Sequence, residues 1–325
     1  MNRILVVGPE FHGYTENIQK SFKNSGVSAD LIVYKLKGGR FHRLGDINKI
    51  EKFNLDIQSA IIQAQYSRIV FVRGSEVYSE TLGKIKSLGI PRILFLQDAL
   101  ANSGNALTNV RLYDKVLLFD KSDQALLDGM GVKASFYGSP VAMWNYHPIE
   151  NIEQDIDLCF VGKLYDNRVD LLENLMAVYP QKKIVVVGQY LPKARPSRWN
   201  RFYKYYFQGY RNVFLNKELS HLEINRLYNR SKICLNIQHS QSRWSCSYRT
   251  IEILAAKSFQ ICSKNEYMES SHSESGVVLY GTVQELKDKI DYYLQADKER
   301  LSHAQKGYTY ALRHSYEAKA ALFDI

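Results

Sequence analysis

Short β-branched and aliphatic runs alternate with helical patterns along the whole chain, and that alternation constrains the fold more than any other feature. The first half carries six such runs: Arg3 to Gly8, Leu31 to Tyr34, Ile69 to Gly74, Arg92 to Asp98, Lys115 to Asp120 and Ala134 to Gly138. Between them, Asn54 to Ala64, Glu76 to Leu88 and Ser122 to Met130 space their apolar residues as helices do. Strand, helix and strand in repeated order predict βαβ units and a parallel, doubly wound α/β sheet covered on both faces.

The second half repeats the scheme. Its strand candidates are Asp157 to Gly162, Lys183 to Gly188, Val213 to Asn216, Lys232 to Ile237, Phe259 to Ser263 and Val277 to Gly281. Helices are expected over Asn167 to Val178, Leu219 to Arg230, Cys246 to Lys257, Val283 to Leu294 and Lys298 to Arg313. Periodicity disappears between Gly138 and Gln154, so the join is placed there, with domains over 1–145 and 146–325 and the last helices free to return to the first domain. A length of 325 residues and 45% hydrophobic content suffice for two cores. Open sheets of this kind bind ligands outside the carboxyl ends of their strands, so two of them are expected to face each other across a cleft.

Several classes fall away at once. The longest apolar runs are far short of the roughly 20 residues a membrane-crossing helix needs, and a core-like strand already begins by Arg3, which predicts a cytoplasmic chain. Cys159, Cys234, Cys246 and Cys262 show no C-x-x-C spacing and read as structural thiols. The first strand ends Gly8-Pro9-Glu10-Phe11-His12-Gly13, which is not the G-x-G-x-x-G of a dinucleotide site, and no G-x-x-x-x-G-K-[ST] occurs. Asp155-Ile156-Asp157 has a metal-binding look, but it opens a buried strand, and no metal or other cofactor is expected.

Two loops have the chemistry of an anion site. Gly162-Lys163 closes a strand and Arg168 follows five residues later at a helix start, so two cations and helix amides can grip both phosphates of a diphosphate; the alternative is a solvated loop. Ser245 to Glu252 opens another helix, where Ser245, Tyr248 and Arg249 lie near its amides and Glu252 can accept from ribose hydroxyls or stand as an exposed helix carboxylate.

The segments Asp157 to Arg168 (DLCFVGKLYDNR), Arg249 to Ala256 (RTIEILAA) and Arg300, Ala304, Gly307 with His314-Ser315-Tyr316 resemble the CgeB-like, spore-maturation-type glycosyltransferases of the GT-B class. The resemblance implies two Rossmann-like domains facing a cleft, a nucleotide sugar on the C-terminal domain, an acceptor on the N-terminal domain and no metal. It also implies that Lys163 and Arg168 form the diphosphate clamp, that Arg249 faces the phosphates and that Glu252 binds ribose. Two positions depart from the pattern: Trp244 stands where a carboxylate eight residues before Glu252 is expected, and Gln97-Asp98-Ala99 replaces W-D-S.

An inverting transfer needs a base within hydrogen-bond reach of the acceptor hydroxyl. Asp98, at a strand end, is the first candidate, or else a cap for the segment after it; His12, in the first loop, is the second, with His147 and His239 behind them. A nucleotide-sugar epimerase would use the same clamp.

The net charge of +10 is concentrated in one window. Between Asn174 and Lys217 there are nine Lys or Arg (182, 183, 193, 195, 198, 201, 204, 211, 217) and no Asp or Glu. If Ser197 to Gln208 is helical, Trp199, Phe202, Tyr203 and Tyr206 share a face with Arg198, Arg201 and Tyr205 beside it, and with Lys204 in the same run this is the make-up of an interfacial helix; the alternative is that the aromatics pack on their own domain and the cations are solvated. The expected partners are a nucleotide sugar, a glycan or lipid-linked acceptor and the anionic inner face of the cell membrane. A nucleic-acid partner is not expected, because no RRM, KH or helix-turn-helix pattern accompanies the basic aromatic run.

Overall fold

A computed structural model describes residues 3–35, 43–188, 214–215, 218–238 and 244–324, without the side chains at 43–45, 105, 166 and 214–215. The chain forms two compact units. One contains Met1–Pro140 and Ser315–Ile325 together with Trp244 and Ser245; the other contains most of the chain from Val141 to His314.

The first unit is built on six parallel strands, β1 Arg3–Pro9, β2 Ser28–Tyr34, β3 Arg68–Val72, β4 Arg92–Phe95, β5 Lys115–Leu118 and β6 Ala134–Phe136, in the order β2-β1-β3-β4-β5-β6. β1, β3, β4 and β5 are apolar almost throughout because helices cover both faces, so neither face needs a polar residue. Arg92 opens β4 and is 4% exposed, since its guanidinium donates to Asp114 and to the Leu112 carbonyl. The helix Tyr14–Asn24 escapes the apolar pattern because its buried stripe includes Thr15, Asn17 and Ser21 beside Ile18 and Phe22. The chain's last residues complete this unit: Phe323 is fully buried among Phe22, Phe95 and Tyr137, and Arg68 pairs with Asp324.

The second unit has β7 Ile156–Val161, β8 Ile184–Val187, β9 Phe214–Leu215, β10 Ser231–Asn236, β11 Gln260–Ser263 and β12 Val278–Tyr280, all parallel, in the order β12-β11-β10-β7-β8-β9. Counted from its own first strand this is 3-2-1-4-5-6, the Rossmann order. One sheet face packs Cys159, Cys234 and Cys262 under Ile251 and Leu254; the other packs Phe160, Val186 and Ile261 under Leu172 and Leu286. The four cysteines are buried thiols that form no disulfide among the described residues, as expected of structural thiols. Entry into the unit is fixed by two asparagines one turn apart on the helix His221–Asn229: Asn225 accepts from His147 N–H, and Asn229 accepts from Ile149 N–H and donates to the His147 carbonyl. His147 is thereby part of this clamp.

All twelve expected strands are present, with ends within three residues of their sequence-based limits. No helix among the described residues is long and apolar enough to cross a membrane.

Candidate functional site

In a 3-2-1-4-5-6 sheet the connections leave in opposite directions on either side of the first and fourth strands, here β7 and β10, and a crevice opens at their carboxyl ends. The residues that leave those ends are Gly162 and Lys163 after β7, and Ile237 and Gln238 after β10.

Arg168 lies on the first turn of the helix Asp166–Val178 and reaches back to both strand ends. Its Nη1 donates to the Lys163 carbonyl at 2.9 Å and its Nη2 to the Ile237 carbonyl, while the guanidinium carbon stands 5.7 Å from the Phe160 ring centre and 5.3 Å from that of Tyr165. No carboxylate pairs with it among the described residues. Burial pushes its pKa down from the ordinary arginine value, the mark of a cation held without a counter-charge. Lys163 is exposed, with its ammonium 5.9 Å from the centre of the same Tyr165 ring.

The loop that carries these cations depends on a close backbone approach. A Cβ on Gly188, at the end of β8, would stand 1.9 Å from the Gly162 carbonyl oxygen. Both glycines end strands as the sequence suggests, but the reason for the second is visible only once β7 and β8 are neighbours.

The helix Tyr248–Ala255 begins beside the same edge. Arg249 Nη1 donates to Glu252 Oε2 at 2.7 Å, and the side chains are 30% and 8% exposed, so Glu252 is a buried ion-pair partner rather than an exposed helix carboxylate. Its Oε1 has no hydrogen bond among the described residues. Ser245 groups with the first unit, where it is fully buried and donates to Asp120 Oδ2 at 3.1 Å.

A layer of polar side chains lies beneath the start of this helix, and sequence reasoning missed it. Gln238, 8% exposed, accepts from Ser247 N–H at 3.1 Å through Oε1 and donates to Thr250 Oγ1 at 2.9 Å through Nε2, and its backbone N–H donates to Ser263 Oγ at 2.8 Å. Asn236 Nδ2 also donates to Thr250 Oγ1. A buried glutamine in an apolar run has no local signature, so only the assembled strand ends reveal it.

Asp155 and Asp157 lie at the amino end of β7, the end opposite the cations. Asp155 accepts from Arg230 and Lys183, which hold its carboxyl well below the usual carboxylate range, and Asp157 pairs with Lys232 at 2.9 Å. Among the described residues no group of three His, Cys, Asp or Glu side chains could hold a metal ion.

In the first unit, Asp98 is exposed just past β4, and its Oδ1 accepts from Ala99 N–H at 2.8 Å and Asn102 Nδ2 at 3.3 Å, capping the turn that follows. His12 is exposed past β1 with φ +50°, its ring centre 4.3 Å from that of Phe11. β3 separates the strands that carry them, and they share no hydrogen bond. Asp123, which no motif marks, lies near enough to Asp98 and Asp120 to feel both carboxylates. Asp123 accepts from Leu100 N–H, and burial, followed by the neighbouring carboxylates, raises its pKa. Arg198, Trp199, Arg201, Phe202, Lys204 and His239 lie outside the described residues.

Known structures decide the architecture. A sucrose-phosphate synthase from Thermosynechococcus elongatus matches with a TM-score of 0.68 at 14% identity, covering 99% of this chain and 97% of that one. The fold is GT-B. An α,α-trehalose-phosphate synthase (UDP-forming) from Burkholderia vietnamiensis matches with a TM-score of 0.64 at 12% identity over 99% and 98% of the two chains. HepE of Anabaena, solved in complex with UDP and glucose, gives 0.63 at 14% over 99% and 98%. Residues 168–323 of this GT-B chain match the family described as glycosyl transferase-like, a span that begins at Arg168. No curated protein matches the chain by sequence.

Proposed function

We propose that the protein is a glycosyltransferase of the CgeB-like group that moves a sugar from a nucleoside-diphosphate donor, UDP-linked in the first instance, to a glycan or lipid-linked acceptor in the synthesis of a cell-surface polysaccharide or glycoconjugate. The observation that carries this reading is Arg168. A half-buried guanidinium at the switch point of a Rossmann sheet, held by two carbonyls and two rings and, among the described residues, by no carboxylate, keeps its charge for an anion. Breaking the bond between the sugar and the diphosphate leaves negative charge on the diphosphate, and a preorganised cation lowers that barrier.

The other parts follow from their places. Lys163 adds a second, mobile charge. Glu252 orients Arg249 toward the phosphates and keeps Oε1 for a ribose hydroxyl, Tyr248 starts the helix beside them, and Gly162 with Gly188 lets the backbone approach. The test is a thermal-shift screen with UDP-, GDP-, CMP- and dTDP-sugars. A rise in Tm with a sugar diphosphate supports the reading, and none with any of them removes it. Product analysis then separates transfer to an acceptor from epimerisation of the donor.

With cationic side chains in charge of the leaving group, no divalent ion is assigned a role. Full turnover is expected in excess EDTA, and a loss restored by Mn²⁺ would contradict the assignment.

Asp98 is proposed as the base and His12 as its substitute. Asp98→Asn should abolish transfer while leaving donor affinity within a factor of two, because asparagine preserves the capping acceptor but cannot take a proton. Near-normal turnover passes the role to His12. The proposed attachment to an anionic membrane rests on Arg198, Trp199, Arg201, Phe202 and Lys204 and on the sequence alone.

A further inference from the structure

The donor site has two arms on different elements. Arg168 is seated on the Ile237 carbonyl at the end of β10, and the turn from Ser247 to Arg249 opens the next helix. Gln238 is the residue next to Ile237, and its side chain is bonded to that turn. One buried amide thus touches the end of β10, the start of the helix and, through its own N–H and Nε2, the end of β11 at Ser263 Oγ and at Cys262 Sγ, 3.2 Å away.

Each bond has a direction that only an amide satisfies in full. Oε1 must accept from the Ser247 N–H, and Nε2 must donate to Thr250 Oγ1, which also receives Asn236 Nδ2. A glutamate retains the acceptor and loses the donor; alanine loses both. The layer is buried, so a missing partner is not replaced cheaply by water.

We infer that Gln238 is a positioning residue for the diphosphate site: it fixes the turn Ser247–Arg249 against the β10 end that seats Arg168, so that both arms are in place before the donor arrives. The inference rests on the functional reading above. On this reading the Ser247 N–H, bonded to Gln238 Oε1, is assigned to the turn and not to a phosphate.

The experiment compares Gln238→Ala and Gln238→Glu with the parent protein, using amide hydrogen exchange by NMR without ligand and UDP-glucose affinity by calorimetry. In the parent, the Ser247 amide should be protected. Gln238→Ala should lose that protection and bind UDP-glucose about tenfold more weakly, the result expected when a preorganised site must be ordered on binding. Gln238→Glu should keep the protection, because its carboxylate still accepts from Ser247 N–H, and yet bind more weakly than Gln238→Ala, because it places a buried negative charge beside an anion site. General loss of packing would reduce both readings together in both variants. The Tm of each variant shows that it is folded. Equal Ser247 exchange in the parent and Gln238→Ala, unchanged affinity in Gln238→Ala, or loss of protection in both variants overturns the inference. If the parent binds no sugar nucleotide the functional reading fails, while the exchange comparison still decides whether Gln238 fixes the turn.

Discussion

Replacing Arg168 by alanine is expected to weaken binding of the nucleotide-sugar donor between tenfold and a hundredfold. A hydrogen bond to a charged group contributes about 1.5–3 kcal/mol, and each 1.4 kcal/mol is about a factor of ten in affinity. The upper part of that range applies here because the guanidinium is half-buried and needs no reorientation: its two carbonyl bonds and its contacts with Phe160 and Tyr165 already fix its plane. Arg168→Lys should fall between the two, since lysine keeps the charge but loses the fork that spans the Lys163 and Ile237 carbonyls. Calorimetric titration with UDP and UDP-glucose measures both variants. An Arg168→Ala protein that folds and binds as the parent does would remove the diphosphate site from this edge of the sheet.

Gly188→Ala is expected to be the most disruptive single substitution in the second unit. The added Cβ would lie 1.9 Å from the Gly162 oxygen, 3.0 Å from its carbonyl carbon and 3.2 Å from Leu164 Cγ. The first two are backbone atoms of a loop tied down by Gly162 N–H donating to the Val187 carbonyl, so no flexible side chain can yield. Overpacking of this kind costs about 1–3 kcal/mol, and more where the obstacle is backbone. Relief requires β7 and β8 to part at their carboxyl ends, which displaces Lys163 and the carbonyl that Arg168 holds. A lower Tm and lost donor binding should therefore appear together. Gly83→Ala is the control: that glycine sits in the helix Ser79–Ser87 with nothing within 4 Å of a Cβ, and alanine there should stabilise by about 0.5–1 kcal/mol. A Gly188→Ala protein as stable as the parent would mean that the two strand ends separate freely.

The two substitutions differ in how far the sequence foretells them. Arg168 is conspicuous as a cation five residues after a strand-ending Gly-Lys, so its candidacy was legible. That it is half-buried and, among the described residues, without a carboxylate was not, because one of its partners, Ile237, lies 69 residues away. Gly188 was legible as a strand end, whereas its need to be glycine depends on a neighbouring loop. Ser245 is a similar case: a hydroxyl just before a helix start reads as part of an anion site, and its bond to Asp120, 125 residues earlier, was not legible.

By itself the sequence determined the α/β class and the twelve strands, and it offered Gly162–Arg168 and Ser245–Glu252 as candidate anion loops. Those properties follow from local period and from residue type: apolar runs buried on both faces, helical spacing between them, and glycine, lysine and arginine where strands end. The tertiary structure alone decided the strand order, and with it which strand ends form the crevice at β7 and β10. It also decided which polar groups pair: in the second unit Ser247 with Gln238 and Arg249 with Glu252, and in the first unit Ser245 with Asp120. The physical reason is that strand pairing in a parallel sheet is non-local: each strand offers the same row of backbone donors and acceptors to any neighbour. Side-chain period marks which residues face a helix but not which strand lies alongside.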